Sequence, residues 1–397
     1  MLKRFRVNNF RSLLNVEFRP IGVNVLVGRN NAGKTNLCSA LRFLGLTASQ
    51  SLEDAIRVSL GETWNIQNVY APDQDVELEI ECSLLYQGEM IDFEYSLSLV
   101  VGAKRPTSGP VLEVSKETLK VTGGGFTHAR LLESDNTRVT WMDNERPEKT
   151  QTDSQAYRTA LFASFDTTAL RQVHAGANPL ISLFRAYLEN WGYYAFNPYS
   201  LRSPKVVRES PVLLSDGKNM TRTYFSLHNE RPRLEKKLIE IVKTLEPRLD
   251  LFTYTSPDPE AVYLFMEDQK SNRFSAQSIS DGTLRFMAMA YLVLSGEDSK
   301  PDAVPGLTII EEPENGLYVG HLKPLFERLV APGRRDQFIF TTHSPYFIDL
   351  FDSCLEGVHV VKPGVPSSEV KKLDPEKVKK LLQEMPLGEM HFREMLG

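Results

Sequence analysis

The stretch Gly28-Arg29-Asn30-Asn31-Ala32-Gly33-Lys34-Thr35, GRNNAGKT, satisfies G-x-x-x-x-G-K-[ST] in full. Just before it, Val23-Asn24-Val25-Leu26-Val27 reads as a buried strand, and residues 33 to about 46 carry the apolar spacing of a helix. A glycine-rich turn between strand and helix lets consecutive backbone N–H groups face a chain of phosphates. Lys34 then reaches the β and γ phosphates, and the Thr35 hydroxyl is placed to ligate Mg²⁺. The competing explanation is a turn that caps a helix by chance, and the strand and helix on its two sides weigh against it. The eight residues imply a nucleoside triphosphate site.

Around this loop the chain alternates. Residues 2–7 and 16–18 have strand periodicity, and Val76-Glu77-Leu78-Glu79-Ile80-Glu81-Cys82 alternates without a break. Further strands follow to about residue 141, punctuated by turns such as KRPTSGP at 104–110 and TGGGF at 122–126. From about 155 to 251 the pattern is mainly helical. Leu234, Leu238, Ile241 and Leu245 share one face behind Pro232. Strands return at about 251–254 and 262–266. After residue 275 the order is helix, buried strand (307–310), helix, buried strand (338–341), which predicts a parallel sheet with crossover helices.

Two of those buried strands end in reactive groups. Leu307-Thr308-Ile309-Ile310 runs into Glu311 and Glu312. On a parallel strand beside the phosphate loop, the first acid is placed to hold Mg²⁺ and the second to orient or deprotonate water. Phe338-Ile339-Phe340-Thr341-Thr342 runs into His343, which is either a capping residue at a strand–helix turn or a hydrogen-bonding group at the nucleotide edge. Ser278-Ile279-Ser280-Asp281-Gly282 opens the apolar helix from Thr283 onward. Ser280 reads as its N-cap, and the same helix start is also a seat for an anion.

Composition sets bounds on the rest. The 397 residues are 41% hydrophobic and 24% charged with a net charge of −5, so a uniformly basic nucleic-acid coat is excluded. Local basic strips remain at Lys3, Arg4, Arg6 and Arg11, and at Lys371, Lys372, Lys377, Lys379 and Lys380, where interleaved acids favour ordinary solvated faces. Three scattered cysteines fit neither a zinc site nor a disulfide framework. With no secretion signal and no run long enough to span a bilayer, a cytoplasmic setting is expected.

In order along the chain stand NNFRSL, GRNNAGKT, YYAFNPYSLRSP, LLSDGKNM, SISDG, LTIIEEPENGL and TTHSP. This series resembles the ABC-type ATPases in their soluble SMC/RecF/OLD-like branch. Within that branch the chain is most similar to stand-alone ATPases labelled AAA family, with an AAA_21-type domain, and the resemblance covers roughly residues 1–350. The fold it implies is α/β. An ABC-type P-loop NTPase core, a parallel sheet with helices, is joined by an antiparallel β subdomain and an inserted helical lobe bearing the signature motif. The corresponding segments are 1–150 (Walker A and the β-rich subdomain), 151–275 (mainly helical lobe with short strands), 276–350 (signature helix, Walker B and switch histidine) and 351–397 (a short C-terminal segment).

The resemblance also implies roles. Gly28, Arg29, Asn30, Asn31, Ala32, Gly33, Lys34 and Thr35 form the Walker A loop, with Asn36 beside it. Glu311 is the Walker B acid, Glu312 the catalytic base and His343 the switch histidine. Ser280, Asp281 and Gly282 match the signature motif, with Thr283 where transporters commonly have glutamine. Arg11 stands where related chromosome-maintenance ATPases place a basic residue near the nucleotide. Three positions depart from the pattern. Glu311 occupies a place where Asp is more usual, the D-loop aspartate position falls on Tyr318, and the Q-loop glutamine is assigned to Gln74, with Gln67 as the second candidate. The expected ligands are ATP and Mg²⁺.

A single set of motifs implies a head-to-tail homodimer with ATP between the chains. The resemblance further implies a DNA repair or anti-phage defence type process, with DNA as a partner. The alternative is a slow ATP-gated platform that holds a separately encoded effector such as a nuclease or toxin. No membrane partner is expected. The lysine-rich tail from Phe351 to Gly397 carries no Asp-x-Asp pattern, so DNA cleavage by this chain alone is not expected.

Overall fold

The computed structural model describes residues 1–61, 66–102, 112–135, 138–142, 157–161, 167–174, 176–206, 211–258, 261–297 and 303–396. The expected turn at 104–110 lies outside them. The alternating segments form β1 (Leu2–Asn8), β2 (Val16–Phe18), β4 (Val76–Tyr86), β5 (Glu89–Val101), β6 (Leu112–Gly123), β7 (Phe126–Ser134), β8 (Arg138–Met142) and β9 (Tyr157–Leu161). They make one antiparallel sheet in the order β2-β1-β4-β5-β6-β7-β8-β9. On β4, Val76, Leu78, Ile80 and Cys82 are buried. Glu79 and Glu81 on its other face stand opposite Arg6 and Arg4 of β1.

The run at residues 23–27 leaves that sheet as β3 (Val23–Val27) and enters a second one. There it is joined by β10 (Trp191–Tyr194), β15 (Leu307–Glu311), β16 (Gln337–Thr342), β17 (Val358–Lys362) and β18 (Glu369–Lys372), in the order β10-β15-β16-β3-β17-β18. The pairs from β10 through β17 are parallel, and β18 is antiparallel. All five residues of β3 are buried, as a strand covered on both faces requires. Leu26, Ile309 and Ile339 join the core on the side of helix α1 (Lys34–Thr47), while Val25, Ile310 and Phe340 join the core on the other face, with helix α8 (Asp281–Glu297). Gln337, 1% exposed, ties the two sheets: its Oε1 accepts from the Leu2 N–H at 2.5 Å and its Nε2 donates to the Leu2 carbonyl at 2.9 Å.

A third, small sheet of β11 (Lys205–Val206), β12 (Leu249–Asp258), β13 (Ala261–Asp268) and β14 (Arg273–Ser275) comes, in sequence, between β10 and β15. Helices α2 (Leu52–Leu60), α3 (Ala169–Gln172) and α4 (Pro179–Glu189) share the core of the antiparallel sheet. Helices α5 (Pro198–Leu201), α6 (Met220–Glu230) and α7 (Pro232–Val242) accompany the small sheet. Leu234, Leu238 and Ile241 of α7 are buried as the periodicity predicts. Helices α9 (Lys323–Leu329), α10 (Pro345–Ile348), α11 (Pro375–Leu381) and α12 (Leu387–Phe392) complete the chain.

Two strands lie where the segment boundaries did not expect core. β10, inside the 151–275 stretch, is an edge strand of the central sheet, paired with β15. β17, in the 351–397 stretch, pairs with β3 and so borders the phosphate loop itself. β10 (WGYY) is a half-buried edge strand and β17 (VHVVK) is interrupted by a histidine, so neither shows the apolar run that marks β3 and β15.

Candidate functional site

The register of the parallel strands brings the reactive residues to one edge. Glu311 pairs with Thr341, and Thr341 and Thr342 pair with Leu26 and Val27. Gly28, Glu312 and His343 therefore leave three neighbouring strands at one level, the carboxyl edge where ligands of open α/β sheets bind. Gly28 must lack a side chain, since a Cβ there would lie 2.2 Å from the Val361 carbonyl oxygen of β17. Gly33, at φ 109°, precedes α1, and no side chain caps that helix. The first-turn N–H groups of α1 are thus directed at whatever sits in the loop.

Lys34 is 7% exposed and curls back over the loop, donating from Nζ to the Gly28 carbonyl at 2.5 Å and the Arg29 carbonyl at 3.0 Å. Burial lowers its pKa, opposed by the charges of Glu312, Glu311 and Glu314 on the facing strand end. Both carbonyls are exchangeable partners, so a phosphate oxygen could replace them without stranding the ammonium. Glu311 has a buried carboxylate oxygen, Oε1, with no hydrogen-bond partner. That orphaned acceptor, the Lys34 charge beside it and the exposed Thr35 at the helix start form an oxygen donor set suited to Mg²⁺ with phosphate.

Glu312 has φ 44°, in the left-handed region, which is uncommon for a side-chain-bearing residue. Its Oε1 lies 3.2 Å from His343 Nδ1, and its Oε2 accepts from Asn315 Nδ2 at 2.6 Å. Glu314, the third acid of EEPENG, is 9% exposed and accepts from the Thr342 hydroxyl. Burial raises its pKa, with the Thr342 bond acting in the opposite direction. Geometrically, Glu312 and His343 form an acid–imidazole pair that faces outward at the sheet edge.

Ser280 caps α8, accepting at Oγ from the Thr283 N–H at 3.1 Å and lying 2.7 Å from the Thr283 hydroxyl. Arg202, from the LRSP segment, pairs with Asp281 at 2.5 Å and donates to the Ile279 carbonyl at 2.8 Å. Gly282 abuts the loop after β15: a Cβ there would come within 2.3 Å of the Gly316 carbonyl oxygen. The start of α8 is therefore packed on its own chain's EEPENG loop.

Several other expected residues are engaged by their own chain. Gln74 is exposed in the loop before β4, and its carbonyl accepts from Asn9 Nδ2 and Gln67 Nε2. Gln67 is spent on the Pro72 and Gln74 carbonyls. The end of β10, level with Glu311, instead carries Ala195-Phe196-Asn197. Arg11 lies 3.5 Å from the Leu60 carbonyl at the end of α2, and burial lowers its pKa. Asn36 donates to Ser12 Oγ at 2.8 Å, and Ser368 donates to the same oxygen at 2.8 Å, a brace behind the loop that the motif does not reveal. Near α12, Glu394 pairs with Arg29, and Gly388 packs on Pro345, directly after His343 and Ser344. Of the basic strips, Lys3, Arg4 and Arg6 pair with Asp92, Glu81 and Glu79, and Lys371, Lys377 and Lys379 pair with Glu369, Asp374 and Glu376.

The geometry defines a P-loop ATPase core of ABC type. Residues 1–166 match the family model described as "AAA ATPase domain", and residues 210–349 match that described as "AAA domain, putative AbiEii toxin, Type IV TA system". The chain is 50% identical over 50 residues to the DNA replication and repair protein RecF of Lactobacillus acidophilus, covering 12% of this chain and 13% of that one. It is 37% identical over 87 residues to the protein of the same name from Lactobacillus delbrueckii subsp. bulgaricus, covering 21% and 23%. The matched parts thus span less than a quarter of these relatives. A crystal structure of an SMC head bound to the C-winged helix domain of ScpA superposes with TM-score 0.54 at 14% identity, over 95% of this chain and 99% of that one. It shows the fold. The two family models thus match ATPase domains over separate parts of the chain, and the likeness to RecF is confined to short stretches. Among the described residues no helix is long and apolar enough to cross a membrane.

Proposed function

We propose that this chain hydrolyses ATP and closes as a head-to-tail homodimer with ATP between its two copies. The observation that carries the reading is the convergence of Lys34, Glu311, Glu312 and His343 on one sheet edge. In the proposed mechanism the α1 N–H groups and Lys34 hold the β and γ phosphates, with Thr35 and Glu311 as the residues that would hold Mg²⁺. When bound, Mg²⁺ supplies charge neutralisation on the phosphate oxygens. Glu312 accepts a proton from water as the water oxygen bonds to the γ-phosphorus. The bond to the bridging oxygen breaks, leaving ADP and phosphate. His343 holds the Glu312 carboxylate at one oxygen and faces the γ-phosphate. Arg29, Asn30, Asn31, Ala32, Asn36 and Arg11 line or brace the nucleotide.

Ser280, Asp281, Gly282 and Thr283 serve the partner's γ-phosphate in this reading. Tyr318 and Tyr346, 77% and 73% exposed beside the catalytic edge, supply aromatic surface for the partner to cover. Closure depends on the γ-phosphate because ADP lacks the γ-phosphate oxygens that the partner's signature serine would meet. The Glu312→Gln variant should bind ATP, turn it over poorly and accumulate as a dimer. Sedimentation with saturating Mg-ATP tests this, and a variant that stays monomeric overturns the dimer.

The output we propose is a DNA repair or anti-phage defence type process, supported by the likeness to RecF, a protein named for replication and repair. A second reading, a slow ATP-gated platform for a separate effector, is favoured by the acids interleaved with the basic strips, where Lys3, Arg4, Arg6 and Lys371 each stand beside a carboxylate rather than forming an uninterrupted basic face. DNA binding that rises with ATP and falls steeply with salt distinguishes the first from the second.

A further inference from the structure

Asn315 and Arg285 take no part in the proposed hydrolysis, yet Asn315 bonds Glu312 at the catalytic edge and Arg285 bonds Asn315. Asn315 Nδ2 donates to Glu312 Oε2 at 2.6 Å, a charge-assisted bond at the short end of its range. The Asn315 N–H donates back to the Glu312 carbonyl at 3.1 Å, closing a turn around the left-handed Glu312. Arg285 lies one turn into α8. Its Nη1 donates to the Asn315 carbonyl at 2.6 Å. Next to this bond, Gly282 of α8 meets Gly316 so closely that a Cβ would stand 2.3 Å from its carbonyl oxygen. The signature helix and the EEPENG loop are therefore joined at two points within one chain.

We propose that Asn315 is a positioning residue for Glu312, and that Arg285 holds Asn315 in place from the signature helix. The same helix that presents Ser280 to a partner's nucleotide thus also sets the acid of its own chain. Glu312 has two carboxylate oxygens, one beside His343 and one on Asn315, so its carboxyl plane is fixed from both sides. A displacement of α8 on meeting the partner moves Arg285, then the Asn315 carbonyl, and through the Asn315 side chain the second oxygen of Glu312. Hydrolysis in one site becomes conditional on seating of that chain's signature helix in the other. This inference rests on the proposed role of Glu312 as the base.

The test uses the full chain with Asn315→Ala, Asn315→Gln, Arg285→Ala and Arg285→Lys, read by two assays. Fluorescent-ATP binding and ATP-dependent sedimentation should remain at wild-type levels in all four. The kcat should fall on the order of 10- to 100-fold in both alanine variants with KM unchanged, the scale expected for a misplaced catalytic group. Asn315→Gln and Arg285→Lys should recover part of it. In a Glu312→Gln background, adding Asn315→Ala should lower the residual rate no further, and the Asn315→Ala/Arg285→Ala double variant should match the worse single one. Wild-type kcat in Asn315→Ala, or additive losses in the double variant, overturns the proposal. Failure of the wild-type chain itself to bind or hydrolyse ATP would instead remove the functional reading on which it stands.

Discussion

Glu117 shows how a single residue can carry a pH dependence that no motif announces. It is fully buried on β6 and accepts from the Tyr95 hydroxyl at 2.9 Å and from the Ala169 and Leu170 N–H groups at 2.5 and 3.0 Å. Burial pushes its pKa up to about 7 from an ordinary 4.5, with the N–H and hydroxyl donors opposing. The folded chain thus retains a proton that the unfolded chain releases at lower pH. The stability linked to this group is fully present below about pH 4.5 and is lost as pH rises through about 7. Thermal melts between pH 4.5 and 8 should fall along that window, and Glu117→Gln should flatten the slope. The amide also turns a donor toward one of the N–H groups, so the variant should be less stable by about 1–3 kcal/mol at the acid end. The residue was not legible as buried, because alternation along β6 changes parity. Leu112 and Val114 point inward, and after a register shift Glu117, Leu119 and Val121 do. A bulge of this kind flips faces without a sequence signal.

Among the elements, the helix at Ser280 shows most clearly how one residue serves two purposes. Its hydroxyl caps α8 now and, in the proposed dimer, meets the partner's phosphate. Ser280→Arg should leave ATP binding by the monomer nearly intact while abolishing closure and hydrolysis, read by fluorescent-ATP titration and sedimentation. Loss of the cap costs about 1 kcal/mol by itself. Ser280→Asp, which keeps a capping oxygen but repels phosphate, should lose closure without that cost. If Ser280→Asp still dimerises with ATP, the cap was the whole role of the serine. Elements of this length and periodicity were readable: β3, α1, β4, α7, α8, β15 and β16 fall where alternation, apolar runs and proline placed them. The unreadable ones were β10 and β17, four and five residues long. β10 is a half-buried edge strand without a long apolar run, and the buried run of β17 is interrupted by His359, so neither carries the continuous apolar signal of β3, β15 or β16. For the site, the loop, the two acids and the histidine were legible because strand-end chemistry is local. Ser12, Ser368 and Asn315 were not, since their value lies in contacts the chain makes only after folding.

For the whole molecule, the segment after residue 350 is part of the ATPase core. β17 supplies the backbone against which Gly28 is fitted, and Leu387 and Met390 of α12 are fully buried in the second core. A chain stopped after Leu350 should fail to fold, giving insoluble protein without a cooperative melt. One stopped after Asp374 keeps β17 and β18 and should fold with reduced stability, since each lost buried side chain removes roughly 1.5–3 kcal/mol. A soluble, cooperatively melting product from the shorter chain would place the essential sheet boundary earlier.

The position of β3 at the centre of that sheet has a consequence for synthesis. Its Asn24 donates to the Phe338 carbonyl, 314 residues further along, and its other edge is filled by β17. The phosphate loop is therefore translated well before β16 and β17, the two strands that flank β3. At roughly 5–20 residues per second, the loop waits many seconds between its translation and its completion. A complete nucleotide seat exists only once β16 and β17 have been made, so ATP cannot stabilise the segments translated between β3 and β16 before then, and the antiparallel sheet must hold by its own packing in the interval.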